Sequence, residues 1–210
     1  MPVSLMLDHG QSVEHCTRAI ACGFTDVMYD GSKLPFEENV AATATVVRAA
    51  HAQGLAVEAE LGHVGAGSEY RSFGAQRLGF TDPDTVSRFV TKTGVDFLAV
   101  AIGTAHGVYD GEPALDLDLL RRIRDRTDVP LVLHGGSGCT EEQYRGAIAA
   151  GIAKVNIATD LFAAAAAGVT TAAREGVPSY FVLTRAAVEA VEDRAGHYLD
   201  VFGASGRAGR

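Results

Sequence analysis

The chain has 210 residues, and 26 acidic side chains against 18 basic give a formal net charge of −8. That balance removes the electrostatic case for gripping a nucleic-acid backbone. No stretch approaches the roughly 18 consecutive apolar residues of a membrane span, and 47% apolar with 21% charged residues is the composition of a chain that buries a core. Cys16, Cys22 and Cys139 are irregularly spaced and form neither a disulfide framework nor a CxxC pair. With no basic, apolar and cleavage-site succession at the front, a cytoplasmic protein with one domain over residues 1–210 is expected.

The chain starts abruptly: Met1-Pro2 runs straight into a strand-like segment, 3–7. Ser12 can cap a helix over 13–21 that Gly23 stops. A second apolar run, 25–29, precedes a helix opened by Pro35 and closed by Gly54. The third run, 55–60, leads into a polar, glycine-rich and aperiodic stretch. That stretch, 62–81, is expected to be a mobile loop over the site. Asp82-Pro83 reads as an N-cap with proline at the first helical position. The fourth run, 97–102, is followed by a helix from Asp116 or Asp118 to Arg126, and the fifth, 131–133, by a helix that Thr140 starts and Gly151 ends. The sixth, 154–157, precedes an alanine-rich helix from Asp160 toward Arg174. A last helix is expected from about Thr184 to Tyr198, with 203–210 a flexible tail.

Six apolar strands, each followed by a helix, imply a parallel sheet buried on both faces. An open doubly wound sheet concentrates its ligand groups at one switch point, whereas a (β/α)8 TIM barrel gathers every strand end around one mouth. Here all six strand ends carry reactive or glycine-rich residues: Asp8-His9, Asp30-Gly31-Ser32, Glu60-Leu61-Gly62, His106-Gly107, His134-Gly135-Gly136-Ser137-Gly138 and Asn156-Ile157-Ala158-Thr159. The barrel is therefore the expected fold. It is incomplete, with about six βα units present and the first two missing, in keeping with the abrupt start.

In such a barrel His9, His106 and His134 converge. Three imidazoles with an open fourth position suit Zn2+, with iron or cobalt as alternatives. The loops 134–138 and 156–160 offer backbone N–H groups and the Ser137 hydroxyl to an anion. Asp8, next to His9, is a candidate for proton transfer, while Asp30 and Glu60 could orient imidazoles. His63 falls in the expected loop, and His15, His51 and His197 read as ordinary helix residues. Lys33 sits in a polar loop and Lys154 reads as the first residue of its strand, at the far end from the site. Imine chemistry is thus the weaker reading.

Leu7-Asp8-His9, Tyr29-Asp30-Gly31-Ser32, Glu58-Ala59-Glu60-Leu61-Gly62, Gly103-Thr104-Ala105-His106-Gly107, the 132–138 segment and Lys154-Val155-Asn156-Ile157-Ala158-Thr159 together resemble the class II, zinc-dependent ketose-bisphosphate aldolases, in the flavour of the tagatose- and fructose-bisphosphate members. The resemblance implies aldol cleavage and condensation of a phosphorylated ketose through a zinc-stabilised enediolate of dihydroxyacetone phosphate. It makes His9, His106 and His134 the zinc ligands and Asp8 the group that moves the hydroxyl proton. It makes Gly107, Gly135, Gly136, Ser137, Asn156, Ile157, Ala158 and Thr159 substrate-binding residues. Glu60 becomes a carboxylate that approaches the metal when it shifts. It also implies a monovalent cation on carbonyls near Ala105, Gly107 and Gly135, and a homo-oligomer.

Two stretches depart from the pattern. Ser68 stands where the mobile loop usually carries its glutamate, leaving Glu69, one position later, as the candidate base. Val177-Pro178-Ser179 replaces an Asp-Pro-Arg. Alternative readings are an aldolase for a different phosphorylated keto sugar and a truncated, non-catalytic homologue.

Overall fold

The computed structural model describes residues 3–69, 79–109, 113–176 and 179–208. Its strands are β1 (Met6–Gly10), β2 (Asp26–Tyr29), β3 (Ala56–Leu61), β4 (Phe97–Val100), β5 (Leu131–Leu133) and β6 (Ile152–Val155). Its α-helices are α1 (Val13–Ala21), α2 (Phe36–His51), α3 (Pro83–Thr93), α4 (Leu117–Arg124), α5 (Glu141–Ala149), α6 (Thr159–Glu175) and α7 (Tyr180–Val201). Every neighbouring strand pair is parallel, and the sheet order is the chain order, β1 to β6.

That order decides the architecture. A doubly wound sheet reverses direction once; this one never does. With crossovers of one hand, each new strand joins the same edge and the helices fall on one face. The buried side chains agree. Val27, Val57, Leu98, Leu131 and Ile152 pack with Ile20, Val46, Phe89, Leu120 and Ile123 into one large core between sheet and helices. Residues of the opposite parity, Met28, Ala99 and Val132 with Met6 and Phe97, form a separate small cluster on the inner face. The result is six strands of an incomplete (β/α) barrel, with β1 and β6 at its edges.

The helix starts follow from their caps. Ser12 accepts from the His15 N–H, Asp82 from the Asp84 N–H and Asp116 from the Leu119 N–H. Thr140 and Gln143 form a reciprocal capping box.

Several expected boundaries move. β1 lies three residues downstream of the 3–7 run, so Asp8 and His9 belong to the strand itself. β6 begins at Ile152, which makes Lys154 its third residue and corrects the reading that placed this lysine away from the site. α7 starts at Tyr180, four residues earlier than expected, because the Ser179 hydroxyl caps it by accepting from the Val182 N–H. The expected mobile loop lies outside the described residues over 70–78, as do 209–210 of the expected tail. Among the described residues no helix is long and apolar enough to cross a membrane.

Candidate active site

Two consecutive residues of a strand normally point to opposite faces. β1 escapes this rule. Its register against β2 runs Met6 to Asp26, Leu7 to Val27, then Gly10 to Tyr29, so three steps on β1 oppose two on β2. His9 within this bulge has φ 51, in the left-handed region, and the extra residue turns its ring to the inner face beside Asp8. Gly10 then lets β1 lie close to its neighbours: a Cβ there would stand 2.6 Å from both the Met28 carbonyl oxygen and the Cys16 sulfur.

The three expected histidines do converge. The His9 ring centroid lies 4.7 Å from those of His106 and His134, and His106 and His134 are 5.9 Å apart. Two of the three rings are oriented from behind. His9 Nδ1 is 2.8 Å from Asp30 Oδ2, and His134 Nε2 is 2.6 Å from Glu58 Oε1. Their remaining nitrogens, His9 Nε2 and His134 Nδ1, face each other at 2.9 Å. One ligand atom each from His9, Glu60, His106 and His134 lie within 4.8 Å of one another, a group that could hold a metal ion. The fit is supported by Glu60, which is 1% exposed: its Oε1 accepts from the Val64 N–H, but its buried Oε2 has no hydrogen-bond partner among the described residues. A buried carboxylate oxygen left unpaired beside three imidazoles is costly unless a cation or proton completes it.

The electrostatics divide the titratable groups. Burial pulls the His9 pKa down, but Asp30, Asp8 and Glu60 outweigh it and hold it above its usual value. Burial likewise opposes ionisation of Asp30, yet hydrogen bonds from His9 and Ser32 hold its carboxyl well below the carboxylate range. Glu60 goes the other way, pushed up to about 8 by burial and by the Asp30 charge. His106 falls to about 4 through burial and repulsion from His9 and His134. Two glutamates on one face of β3 thus behave oppositely, because Glu58, though buried, is held low by His134 and Lys154.

Asp8 projects from β1 with its side chain 53% exposed. Its Oδ1 is 3.9 Å from His9 Nε2 and accepts from Asn156 Nδ2 at 3.2 Å. Asp8, His9, His106, Gly107, His134, Gly135, Ser137, Asn156, Ile157, Ala158 and Thr159 line one cavity of about 470 Å³, joined by Met6, Lys154 and Val155. Gly136 does not line it; its carbonyl accepts from the Tyr144 hydroxyl at 2.5 Å. Ser137 Oγ accepts the Asp160 N–H at 3.2 Å, which places the 134–138 loop against the N-terminus of α6. Gly135, with φ 64, crosses so close to Ala105 that a Cβ would stand 2.4 Å from its carbonyl oxygen.

Glu69 ends a 3-10 turn, Gly67–Glu69, whose backbone is tied to the His106 loop. The Gly67 N–H donates to the His106 carbonyl at 2.6 Å, and the His106 N–H to that of Gly65 at 2.8 Å. Thr81 Oγ1 donates to the Leu61 carbonyl and accepts from the Ala101 N–H, anchoring the far end of the 62–81 stretch. His63 Nδ1 lies 3.0 Å from Ser32 Oγ and 3.9 Å from Glu60 Oε1.

Glu58 and Lys154 are the residues the sequence reading did not place in the site. The signal for Glu58 was present: it lies two residues before Glu60 in an otherwise apolar strand, hence on the same face. Lys154 was hidden by the misplaced start of β6.

Three imidazoles and a buried carboxylate at the mouth of a parallel barrel, opening on one cavity, are the frame of a metal-dependent site for a small molecule. A family model for class II fructose-bisphosphate aldolase matches residues 1–207. The chain belongs to that family, whose members are metal-dependent aldolases. It is 43% identical to the Escherichia coli K12 protein YdjI over 209 residues, 99% of this chain and 73% of YdjI. It is 49% identical to the Geobacillus stearothermophilus fructose-bisphosphate aldolase over 160 residues, 76% of this chain and 55% of that enzyme. The crystal structure of the YdjI aldolase superposes with a TM-score of 0.82 at 38% identity, covering 99% of this chain and 71% of the other.

Proposed function

We propose that this protein catalyses aldol cleavage and condensation of a phosphorylated ketose, yielding dihydroxyacetone phosphate and an aldehyde, with Zn2+ as its metal. The observation that carries this reading is the shared cavity: His9, His106 and His134, Asp8, Ser137 and Thr159 at the start of α6 all line it. Zn2+ on the three imidazoles, with Glu60 as a movable fourth ligand, would polarise the ketone carbonyl.

The rest is the work of the chain. The Ser137 hydroxyl and the amides around Gly107, Gly135 and Ala158-Thr159 bind the phosphate, favoured by the positive end of the α6 dipole. In cleavage Asp8, held by Asn156, takes the proton of the hydroxyl on the carbon that becomes the aldehyde. The carbon–carbon bond breaks, its electrons pass to the ketone half, and that carbon takes a proton for which Glu69 is the proposed donor. Condensation reverses each transfer. A monovalent cation on the Ala105, Gly107 and Gly135 carbonyls, a homo-oligomer and a cytoplasmic location complete the reading.

Fructose or tagatose 1,6-bisphosphate is the proposed substrate type. One observation favours a second reading, a different phosphorylated keto sugar. Ser179 stands where the resemblance expects an arginine for a distal phosphate, and its hydroxyl is engaged as the α7 cap. Residues 177 and 178 lie outside the described residues.

The test is a panel of phosphorylated ketoses offered to the zinc-loaded full chain, with dihydroxyacetone phosphate release followed through a coupled NADH assay. Release that disappears on chelation and returns with zinc is expected. A metal-loaded chain that cleaves none of the panel refutes the proposal.

A further inference from the structure

Lys154 stands at the centre of a polar chain that crosses the inner face of the barrel. Its ammonium donates to Glu58 Oε2 at 2.9 Å and to Asn156 Oδ1 at 2.7 Å. The other oxygen of Glu58 lies 2.6 Å from His134 Nε2, much nearer than the Asn156 amide nitrogen, which is 3.2 Å from that ring nitrogen and donates to Asp8 Oδ1 at 3.2 Å. Five residues on four strands or strand ends are thereby joined: His134 after β5, Glu58 on β3, Lys154 and Asn156 on and after β6, and Asp8 on β1. The path also spans the seam between the edge strands β1 and β6, which do not pair with each other.

We propose that Lys154 is a positioning residue for both halves of the site: through Glu58 it fixes the His134 ring, and through Asn156 it sets the Asp8 carboxylate. The argument is one of geometry and valence. His134 can present Nδ1 to a metal only if Nε2 carries the proton, and Glu58 Oε1 is the acceptor that selects this tautomer. Glu58 is 2% exposed and hangs from a strand flanked by β2 and β4. Of its two oxygens, one is committed to His134, so the second must be satisfied by a donor that does not compete for the ring. Lys154 is that donor, and it carries the opposite charge. Asn156 can turn its Nδ2 toward Asp8 only while its Oδ1 is held by an N–H donor; Lys154 supplies this one too. Removing a single amine therefore loosens an orienting contact behind a metal ligand and frees the group that moves the proton.

The proposal rests on the metal-site reading above, and the experiment separates the two. Lys154→Ala, Lys154→Gln and Lys154→Arg are prepared in the full chain, with far-UV circular dichroism as the control for folding. Cobalt(II) is the probe metal. Its affinity is measured by competition with a chromophoric chelator and its geometry by the visible absorption of the bound ion.

Both neutral variants are expected to bind cobalt 10- to 100-fold more weakly, with an altered visible spectrum, while Lys154→Arg recovers most of the affinity. Combining Lys154→Ala with Glu58→Gln is expected to cost no more than about the larger single effect, because both break one path. In the metal-free protein, long-range 15N correlation is expected to show His134 as the Nε2–H tautomer in the parent and as a mixture in Lys154→Ala.

A folded Lys154→Gln or Lys154→Ala with parental cobalt affinity, spectrum and His134 tautomer overturns the proposal, as does a parent chain that binds no cobalt. A parent that binds cobalt but cleaves no sugar refutes the aldolase reading and leaves this one standing or falling on the metal data alone.

Discussion

Gly135→Ala probes how tightly the two loops at the mouth are packed. The native φ of 64 is left-handed, which costs an alanine roughly 1–2 kcal/mol. Sterics add to this. The new Cβ would lie 2.4 Å from the Ala105 carbonyl oxygen, 2.6 Å from its carbonyl carbon and 2.9 Å from its nitrogen, all backbone atoms that no rotamer change can relieve. The loops must part by more than half an ångström, and that parting strains a bridge: the Tyr109 hydroxyl accepts from the Ala105 N–H at 2.7 Å and donates to the Gly135 carbonyl at 2.6 Å. Loss of those contacts adds about 1–2 kcal/mol. The expected total is roughly 2–4 kcal/mol of destabilisation in urea unfolding of the metal-free chain. Because Ala105 precedes His106, chelator competition should also show weaker metal binding, by about tenfold or more. A variant within about 0.5 kcal/mol of the parent, with unchanged metal affinity, would refute the close-approach argument.

Three further outcomes are expected. Asp8→Asn should lower kcat by about 10²- to 10⁴-fold while leaving metal affinity within a few-fold of the parent, since Asp8 stands beside the metal group and outside it; equal losses in both would make Asp8 a ligand. Asp30→Asn should weaken metal binding by about 10- to 100-fold through the freed His9 ring. Its stability effect should depend on pH with a definite sign: the folded carboxyl is held below its ordinary 3.8, so the parent's advantage in the metal-free state is full above the unfolded value and shrinks as the pH falls toward the folded one. An advantage that grows on acidification contradicts the assignment. Thr140→Ala removes one side of the α5 capping box and should cost about 1 kcal/mol in urea unfolding without changing metal affinity.

The rhythm of strands and helices, and with it the mouth, could be read from the sequence because buried parallel strands are apolar on both faces and their ends are not. What could not be read was register. The apolar run at 3–7 begins ahead of the paired segment: Val3 and Leu5 are largely exposed, and the ladder with β2 starts at Met6. The sequence reading opens the strand at Lys154 because the two β6 residues before it, Ile152 and Ala153, are too few to mark a run. β3 is the exception: its outer face carries Val57, Ala59 and Leu61, while its inner face carries Glu58 and Glu60 beside the apolar Met28, Ala99 and Val132 of its neighbours. Glu58 belongs to that alternation, and its partners come from 76 and 96 residues further along the chain. The early start of α7 was concealed differently: Tyr180, Phe181 and Val182 favour strands by composition, but the Ser179 cap and the packing of α7 on α6 hold them in a helix.

The bulge in β1 has a consequence for how this mouth tolerates change. It brings two neighbours in sequence, Asp8 and His9, to the same cavity, where an unbroken strand would have sent one of them into the helix layer. A one-residue deletion between Leu7 and Gly10 would restore ordinary alternation, and the mouth would then keep either the Asp8 carboxylate or the His9 imidazole, never both. The segment is therefore fixed in length as well as in letters, while an added residue before Met6 would shift nothing at the mouth.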